Sequence, residues 1–316
     1  HYVMQYTKTC LLILNIFNTS LLAQYNWEKL SAPTYQGKQD DIHFINSKQG
    51  WYVNGKGKIY GTKDGGENWN LLFEQPGTFF RCVGFIDSLR GFVGNVGTEY
   101  FPGVTDTIPL YKTEDGGRSW SPVTYTGPRV KGLCAIDIVR VPYSNHGVLA
   151  YKHHIIAGGR VGSPAFLLKS SDEGKTWRSQ DMNEECGYIL DVKFFNEMEG
   201  IVCAATNKAF EEQNALILKT TDGGSSWKQV YQSTRPFEIT WKASFPTKKV
   251  GYVTIQSYDP DTTKVQRYVA KTTDGGNTWV EKRLVDDHKC REFGVGFIDE
   301  KVGWVGTVRT GYETLD

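Results

Sequence analysis

The chain has 316 residues, and its 36 Lys and Arg residues nearly balance its 35 Asp and Glu residues. This near neutrality argues against the clustered positive charge on which nucleic-acid binding depends. Aromatic residues make up 13% of the sequence and glycine occupies 34 positions, a composition that favours short strands joined by tight turns. We therefore expect an all-β protein with no nucleic-acid partner.

The first segment, residues 1–23, has the pattern of a secretory signal peptide. Met4, the expected start, is followed by one cation, Lys8, by an apolar stretch from Cys10 to Phe17 and by a small residue, Ala23, at a cleavage position. The alternative is a hydrophobic N-terminal helix docked on the body. No segment reaches the roughly 20 apolar residues of a membrane helix. We expect a secreted or periplasmic protein without a transmembrane segment.

Cleavage after Ala23 would leave a mature domain of residues 24–316 with five cysteines: Cys82, Cys134, Cys186, Cys203 and Cys290. Their spacing matches no zinc motif, and we expect them to be buried and inert. His153 and His154 are adjacent, and adjacent strand residues point to opposite faces, so they make a poor metal pair. We expect no metal site and no cofactor.

One eight-residue phrase recurs along the chain and defines an internal repeat. It joins a Ser or Thr, an Asp, a Gly and a Trp at fixed spacing. The Asp and Trp residues are Asp64 and Trp69, Asp115 and Trp120, Asp172 and Trp177, Asp222 and Trp227, and Asp274 and Trp279. Counting Asp316 as the start of a sixth phrase, successive aspartates lie 51, 57, 50, 52 and 42 residues apart. A period near 50 residues indicates a repeat array and not two independent domains.

Each phrase, called an Asp turn below, has a structural explanation. The Asp carboxylate can accept hydrogen bonds from the backbone N–H groups that follow it. Glycine supplies the positive φ of a tight turn. The Trp begins the next strand and can pack against its own hairpin. We therefore expect the Asp residues to be structural and not catalytic.

Short apolar strands precede each Asp turn. In the first unit they are Ile42–Phe44, Gly50–Val53 and Lys58–Tyr60, and a fourth strand starts at the Trp. Four antiparallel strands per unit, arranged radially, predict the blades of a β-propeller. The third unit departs from this pattern, because residues 138–152 add length at its first turn.

These turns resemble the Asp-box, or bacterial neuraminidase repeat, of β-propellers. The Gly-aromatic second strand makes the chain most similar to propellers of the photosystem II assembly-factor type and their bacterial relatives. The resemblance runs from about Trp27 to the end. It implies a β-propeller, and because that fold hosts hydrolases, assembly factors and receptors, it implies no single activity.

The number of blades can also be argued. The sequence Trp27-Glu28-Lys29-Leu30 is typical of the strand after an Asp turn, although no Asp turn precedes it. Such a strand would complete the last blade and close the ring, so that no sheet edge stays open. The phrase at Thr314 would have its own Trp strand. We expect seven blades, with residues 24–316 lacking part of the sixth blade and most of the seventh.

The binding surface is predicted from the loops. The first and third turns of every blade share one face, and the longer, more varied loops share the other, which we call the loop face. Loops on a rigid scaffold are where function is usually carried. Arginines beside aromatic residues suit a carboxylate, a carbohydrate or an acidic protein segment. The candidate ligand-binding residues are Tyr100, Asp106, Arg129, Arg160, Arg235, Tyr258 and Arg267. We expect replacement of Arg160 and Arg267 to weaken ligand capture without unfolding the protein.

Three functions are compatible with the sequence. The favoured one is a non-catalytic module that binds or assembles a protein or carbohydrate partner through the loop face. The second is a glycoside hydrolase, either sialidase-like, which would need an arginine triad, or xyloglucan-cleaving, which would need two carboxylates across a cleft. The spacing of the arginines and acidic residues in the sequence singles out neither an arginine triad nor a carboxylate pair. The sequence Arg81-Cys82-Val83 does not match the arginine motif of sialidases. The third is the ligand-recognition part of a larger cell-surface protein.

Overall fold

The protein is an all-β propeller. In the computed structural model the described residues are 39–261, 263, 266–286, 290–307 and 311–314, and the structural statements below concern these residues. They form five four-stranded sheets and one three-stranded sheet, each antiparallel, with the strands of every sheet paired in chain order. The expected signal peptide and the strand at Trp27 lie outside the described residues. The expectation of seven blades stays a prediction.

The strands of the first three blades are β1 (Gln39–Phe44), β2 (Gly50–Asn54), β3 (Lys58–Thr62), β4 (Asn70–Glu74); β5 (Phe80–Phe85), β6 (Gly91–Asn95), β7 (Leu110–Thr113), β8 (Ser121–Pro122); and β9 (Ala135–Asn145), β10 (Val148–Gly159), β11 (Phe166–Ser170), β12 (Arg178–Asp181). Those of the next three are β13 (Tyr188–Phe194), β14 (Gly200–Ala205), β15 (Ala215–Thr220), β16 (Lys228–Gln232); β17 (Glu238–Ser244), β18 (Gly251–Ser257), β19 (Gln266–Thr272), β20 (Val280–Asp286); and β21 (Glu292–Phe297), β22 (Gly303–Thr307), β23 (Gly311–Thr314). A single-turn 3-10 helix, Phe210–Glu212, lies in the loop between β14 and β15.

The first strands of successive blades contact one another, so they surround a common axis. The second strands β2, β6 and β14 are buried throughout, whereas the fourth strands β4 and β16 are largely exposed. Continuous burial of inner strands is the pattern of a sheet covered on both faces, here by the neighbouring blades. The blades therefore point outward from a buried centre.

Apolar clusters fill the spaces between neighbouring blades. The cluster around Trp51 and Phe85 joins the first two blades, and the cluster around Phe92 and Trp177 joins the second to the third. Similar clusters continue to the sixth blade, and a separate one lies on the axis. Burial of this apolar surface is what holds the blades side by side.

The Asp turns close each blade between its third and fourth strands. In the first turn Thr62 Oγ1 donates a hydrogen bond to Asp64 Oδ1 at 2.7 Å and accepts one from Gly66 N at 3.0 Å. Asn68 N donates to the same Asp64 oxygen at 2.9 Å. Gly65 and Gly66 have φ of 80° and 96°, a conformation that residues with a Cβ rarely adopt. The other four turns repeat these bonds.

The third blade carries the extra length that the sequence indicated. Its first two strands, β9 and β10, run on past the sheet as a two-stranded hairpin that ends at His146 and Gly147. Glu173, which stands where the other Asp turns have glycine, pairs with His153 of this hairpin at 3.2 Å and with Arg90 of the second blade at 3.0 Å. The departure from the repeat in this turn therefore supports the hairpin.

Candidate binding cavity on the loop face

Irregularities in the first strands direct side chains toward the axis. The pairing of β1 with β2 skips Asp40, and the pairing of β5 with β6 skips Arg81. The same irregularity occurs at Leu190 in β13 and near Trp241 in β17. An extra residue in one strand turns its side chain away from the regular alternation. The bulges thus bring these side chains from four blades together where the loop face meets the axis.

A cavity of about 520 Å³ opens above these side chains. Its walls come from the loops of the first five blades and are rich in rings. The lining aromatic residues are Phe79, Tyr100, Phe101, Tyr188, Phe210, Trp241 and Tyr258. Pockets of this size, mostly apolar with a few placed polar groups, are typical of ligand-binding sites. The axial cavity is therefore our candidate functional site.

The floor of the axial cavity holds a buried ion pair. Arg81 donates a hydrogen bond to Asp40 at 2.7 Å, and both side chains are almost completely buried. The Arg81 guanidinium also lies 5.3 Å from the ring centre of Trp241. A buried charge is tolerated only when it is paired. The pair therefore places a polar feature at the base of an otherwise apolar site.

The walls are held by contacts among the rings. Phe79 and Phe101 lie 4.6 Å apart between ring centres, and Phe210 lies 5.8 Å from Tyr258. Burial and a hydrogen bond with Tyr188 raise the pKa of Tyr100 to about 12, and burial raises the pKa of Tyr258. Both phenols stay protonated at neutral pH. They offer hydroxyl groups and not negative charge to a ligand.

Below the floor, carboxylates tie the first strands of neighbouring blades. Each accepts the backbone N–H of a residue in a later blade, and two of them also pair with a lysine. The contacts are Asp41 with Val83 N at 3.0 Å, Asp137 with Phe194 N at 2.6 Å and Lys193 at 3.0 Å, and Asp191 with Ala243 N at 2.9 Å and Lys242 at 3.3 Å. These carboxylates thus hold neighbouring blades together beneath the cavity.

The structure brings two of the predicted ligand-binding residues into the cavity. Tyr100 and Tyr258 both line it. Arg129 is exposed on the connection between β8 and β9, away from the lining residues. The other predicted residues hold loops or links in place.

Asp106 acts within its own loop. One carboxylate oxygen accepts hydrogen bonds from Gln75, Thr78 and Tyr111 at 3.0, 2.7 and 2.7 Å, and the other accepts the Ile108 N–H at 2.9 Å. These bonds fix the loop between β6 and β7, which carries the cavity residues Tyr100 and Phe101. Asp106 therefore supports the cavity wall without lining it.

The two loop arginines expected on the surface are buried. Arg160 is 3% exposed and donates to Thr98 O at 2.8 Å and to Glu99 at 2.9 Å. Arg267 is 4% exposed and donates to Cys290 O at 2.9 Å. Both arginines were expected at the surface, where replacement would weaken ligand capture without unfolding; because they are buried, replacing them would remove buried hydrogen bonds, and we now expect a loss of stability.

Arg235 belongs to an ion-pair network at the link between the fourth and fifth blades. It donates to Glu238 at 2.6 Å and, through two nitrogens, to Glu281 at 2.9 and 3.0 Å. Its guanidinium lies 4.2 Å from the Tyr268 ring centre. Two-nitrogen pairing of this kind fixes the guanidinium in one orientation. Arg235 therefore joins two blades and does not reach the cavity.

Sequence analysis did not identify several of the residues that line the cavity. Asp40, Arg81, Tyr188 and Trp241 lie in the first strands of their blades, whereas the candidate residues were taken from the loops. A possible signal was the charge of Arg81 inside the strand Phe80–Phe85, whose other residues are all apolar or glycine. A charged residue in such a strand must be paired, and a partner near the axis would have indicated the site.

The opposite face has an open groove between the first two Asp turns. It measures about 710 Å³ and is lined by polar groups that include Lys48, Asp64, Asp115 and Arg118. The groove lies away from the axis. The Asp turns therefore do not surround the axial cavity.

The cysteines and histidines that the structure describes are not arranged as metal ligands. All five described cysteines are buried, and burial raises the pKa of the Cys186 thiol to about 12. Burial lowers the pKa of His154. Across the described part of the chain, no three His, Cys, Asp or Glu side chains are placed to hold a metal ion. Likewise, no helix in that part is long and apolar enough to cross a bilayer.

Known protein structures share this fold. The chain is similar to YCF48 bound to D1 peptide, with a TM-score of 0.52 and 18% identity over 93% of this chain and 98% of that one. It is also similar to an ancestral GH74 enzyme, with a TM-score of 0.60 and 15% identity over 88% of this chain and 36% of the enzyme. The GH74 enzyme of Niastella koreensis is similar with a TM-score of 0.59 and 15% identity, over 86% of this chain and 44% of the enzyme.

These likenesses show the fold and no more. The chain spans less than half the length of either GH74 enzyme. No family profile matches the chain, and no similar sequence is found among curated proteins. The fold and the axial cavity together define a β-propeller with a candidate binding site on its loop face.

Proposed function

We propose that the protein is a non-catalytic binding module that captures an extended segment of a partner protein in the axial cavity. The observation that carries this proposal is the convergence of seven aromatic side chains from the second, fourth and fifth blades on one cavity above the Arg81–Asp40 pair. Aromatic anchors in a concave, desolvated site supply most of the energy of protein recognition. A site of this kind favours a peptide with apolar or aromatic side chains.

The polar groups of the cavity refine the partner. Lys56 stands at its rim and Arg81 at its floor, while the described lining holds a single carboxylate, Asp40, already paired with Arg81. Lys56 therefore gives the described lining a net positive charge. A segment that combines apolar side chains with a negative charge fits best. YCF48, a structure of the same fold, is recorded with a bound peptide, which supports peptide capture as a use of this fold.

A carbohydrate ligand is the second candidate. The hydroxyl groups of Tyr100, Tyr188 and Tyr258 and the exposed rings could meet a sugar. A glycan carries a hydroxyl on nearly every carbon, however, and each one that is buried needs a hydrogen-bond partner. The lining offers few such partners. Hydrolysis in the manner of the GH74 enzymes is less favoured, because glycosidases use two carboxylates and the described lining has one.

The cellular setting is proposed from the sequence alone. Residues 4–23 support export to the cell envelope, with the propeller acting there by itself or as the recognition part of a larger surface protein. Terminal sequencing of the mature protein from the periplasm and the medium would test this. A mature chain that starts at Gln24 is expected, and a cytoplasmic protein that retains residues 4–23 would contradict export.

Peptide selection tests the binding proposal. Twelve-residue peptides displayed on phage are selected on the unaltered protein, and a Phe101→Ala/Tyr258→Ala variant is prepared for comparison. The enriched peptides are then titrated against both proteins. Because each aromatic anchor contributes more than about 1 kcal/mol, we expect at least about a tenfold loss of affinity in the double variant. Met198→Ala, an exposed change in the first turn of the fourth blade, is the matched control and should change nothing.

The competing functions are separated by parallel assays. Xyloglucan oligosaccharides and sialyllactose are tested for binding and for hydrolysis with the same proteins. Enriched peptides that bind the double variant as tightly as the unaltered protein would overturn the cavity as the site. Hydrolysis of either sugar, lost in the double variant, would replace binding by catalysis.

A further inference from the structure

The hairpin of the third blade, which we call the arm (residues 140–153), extends beyond the sheet. β11 pairs with β10 only from Ile155 onward, so the arm is a two-stranded segment on the Asp-turn side of the molecule. Asn145 pairs with Val148, and His146 and Gly147 between them have φ of 49° and 81°. Two positive φ values are typical of the tight two-residue hairpin turn. The pairing register of the arm is therefore fixed.

The arm exposes apolar side chains on both of its faces. Tyr143 is 41% exposed, Val148 67%, Leu149 65% and Tyr151 41%. No acidic residue occurs in the sequence between Asp137 and Asp172. An isolated two-stranded hairpin is at best marginally stable in water, and exposed apolar groups of this kind mark contact surfaces. The arm thus has the composition of an interface.

The two edges of the arm differ. Since Asn145 and Val148 close the turn as a hydrogen-bonded pair, alternate residues of β10 face β9, and Leu149 and Tyr151 direct their backbone groups outward. By the same alternation Pro142 faces outward on β9, where it has no N–H to donate. The edge of β9 is blocked by Pro142, and the edge of β10 at Leu149 and Tyr151 pairs with no strand among the described residues.

We propose that the open edge pairs with the same edge of a second copy of this chain. With the two-fold axis at Ala150, Leu149 of each copy lies opposite Tyr151 of the other. The four outward backbone groups of each copy then form four hydrogen bonds across the interface. Leu149 packs beside the Tyr151 ring of the other copy, an aliphatic–aromatic pair that stabilises adjacent strands. The edge is thus complementary to itself.

The proposed register also keeps the cations of the two arms from lying directly opposite each other. In this register Lys152 lies opposite Val148 of the other copy, and Ala150 lies opposite itself, so no like charges meet directly. A self-complementary patch gives a closed dimer, because one contact satisfies both copies. A lipid surface is less favoured, because hydrocarbon leaves open backbone groups without partners and the tip carries Asn145 and His146. The dimer would leave both axial cavities free on the opposite faces.

Sedimentation equilibrium of the full chain from about 1 μM to about 1 mM tests this, a range suited to a small interface. The unaltered protein is expected to dimerise within it. Ala150→Lys and Ala150→Glu each place like charges at the two-fold axis and are expected to stay monomeric. An equimolar mixture of the two variants is expected to dimerise again, because opposite charges then meet. Val280→Lys, an exposed change on the outer strand β20, is the matched control and should leave dimerisation unchanged.

Several results would overturn the proposal. The unaltered protein could be a monomer at every concentration, or the dimer could survive Ala150→Lys. The mixture of the Ala150→Lys and Ala150→Glu variants could also stay monomeric, although each variant keeps the circular dichroism spectrum of the unaltered protein. Binding of a monomeric protein to phosphatidylserine vesicles would also overturn it. None of these results bears on peptide capture by the axial cavity, because the arm and the cavity lie on opposite faces.

Discussion

The Trp51 indole N–H, in the first blade, donates a hydrogen bond to the Gly116 carbonyl oxygen in the Asp turn of the second blade at 3.0 Å. The same indole stacks on Phe85 of the second blade, with ring centres 3.5 Å apart. Tyr252 of the fifth blade repeats the relationship, stacking on Phe297 at 3.6 Å and donating to Glu300 O at 2.8 Å. The second strand of one blade thus holds the turns of the next blade.

Replacement of Trp51 tests this coupling. Trp51→Ala removes a fully buried ring and its hydrogen bond, so we expect a loss of about 3–5 kcal/mol in the free energy of unfolding. Trp51→Phe keeps a ring for the stack and loses the hydrogen bond to Gly116, so a loss of about 1 kcal/mol is expected. Urea denaturation followed by circular dichroism measures both. Leu71→Ala on the exposed strand β4 is the control, and a Trp51→Ala cost no larger than that of the control would contradict the coupling.

The Asp turns depend on their first hydroxyl as much as on the carboxylate. Thr220 is buried, and its Oγ1 accepts the Gly224 N–H at 2.8 Å and donates to Asp222 at 2.8 Å. Thr220→Val keeps the shape and leaves the Gly224 N–H without a partner, at an expected cost of about 1–3 kcal/mol. Thr220→Ser should cost less, since Ser170 fills this place in the third turn. Equal stability of the Val and Ser variants in urea would show that the hydroxyl is dispensable.

Sequence reasoning predicted the order of strands in each blade because the Gly-aromatic strand, the Asp turn and the Trp mark successive boundaries. It also placed the extra residues of the third unit in its first turn, where the arm now lies. It could not find Arg81 at the cavity floor, because a bulge depends on the pairing register of two strands and one sequence does not display that register. Arg160 was assigned to the surface because its partner, the Thr98 carbonyl, lies 62 residues away in the chain.

Acid should weaken the Asp turns within a defined range of pH. Hydrogen bonds from Ser226, first through its side chain and then its backbone N–H, and from Thr220 lower the pKa of Asp222 to about 2. The pKa of the same carboxyl in an unfolded chain is about 3.9. A folded-state pKa below the unfolded value stabilises the fold above about pH 4, and this contribution is lost as the pH falls toward 2.

The Asp222→Asn variant isolates this contribution. Asn cannot ionise, so the difference in unfolding free energy between the unaltered protein and the variant should be constant above about pH 5 and shrink between about pH 4 and pH 2. Urea denaturation at each pH, at fixed ionic strength, measures the difference. Glu211→Gln, an exposed change in the 3-10 helix, should give a difference that stays near zero. A difference for Asp222→Asn that does not vary with pH would mean that its carboxyl titrates alike in folded and unfolded chains.

Arg160 connects stability to binding. Its guanidinium donates to Thr98 O at 2.8 Å, next to the loop residues Tyr100 and Phe101 that line the axial cavity. Arg160→Met keeps much of the apolar stem and leaves that buried carbonyl without its charged donor, so we expect a loss of about 1.5–3 kcal/mol in unfolding free energy. The selected peptides should also bind more weakly, because part of their binding energy must then order the loop.

The control for Arg160 is Arg129→Met, which removes an exposed arginine from the same face. It should leave both stability and peptide affinity unchanged, since exposed arginines away from the cavity make little net contribution. Urea denaturation and peptide titration on each variant separate the outcomes. If Arg160→Met lowered affinity without lowering stability, the guanidinium would contact the peptide directly, as the sequence first suggested. If it lowered stability alone, the loop would keep its shape without the arginine, and Asp106 with its four hydrogen bonds would be sufficient to hold the wall of the cavity.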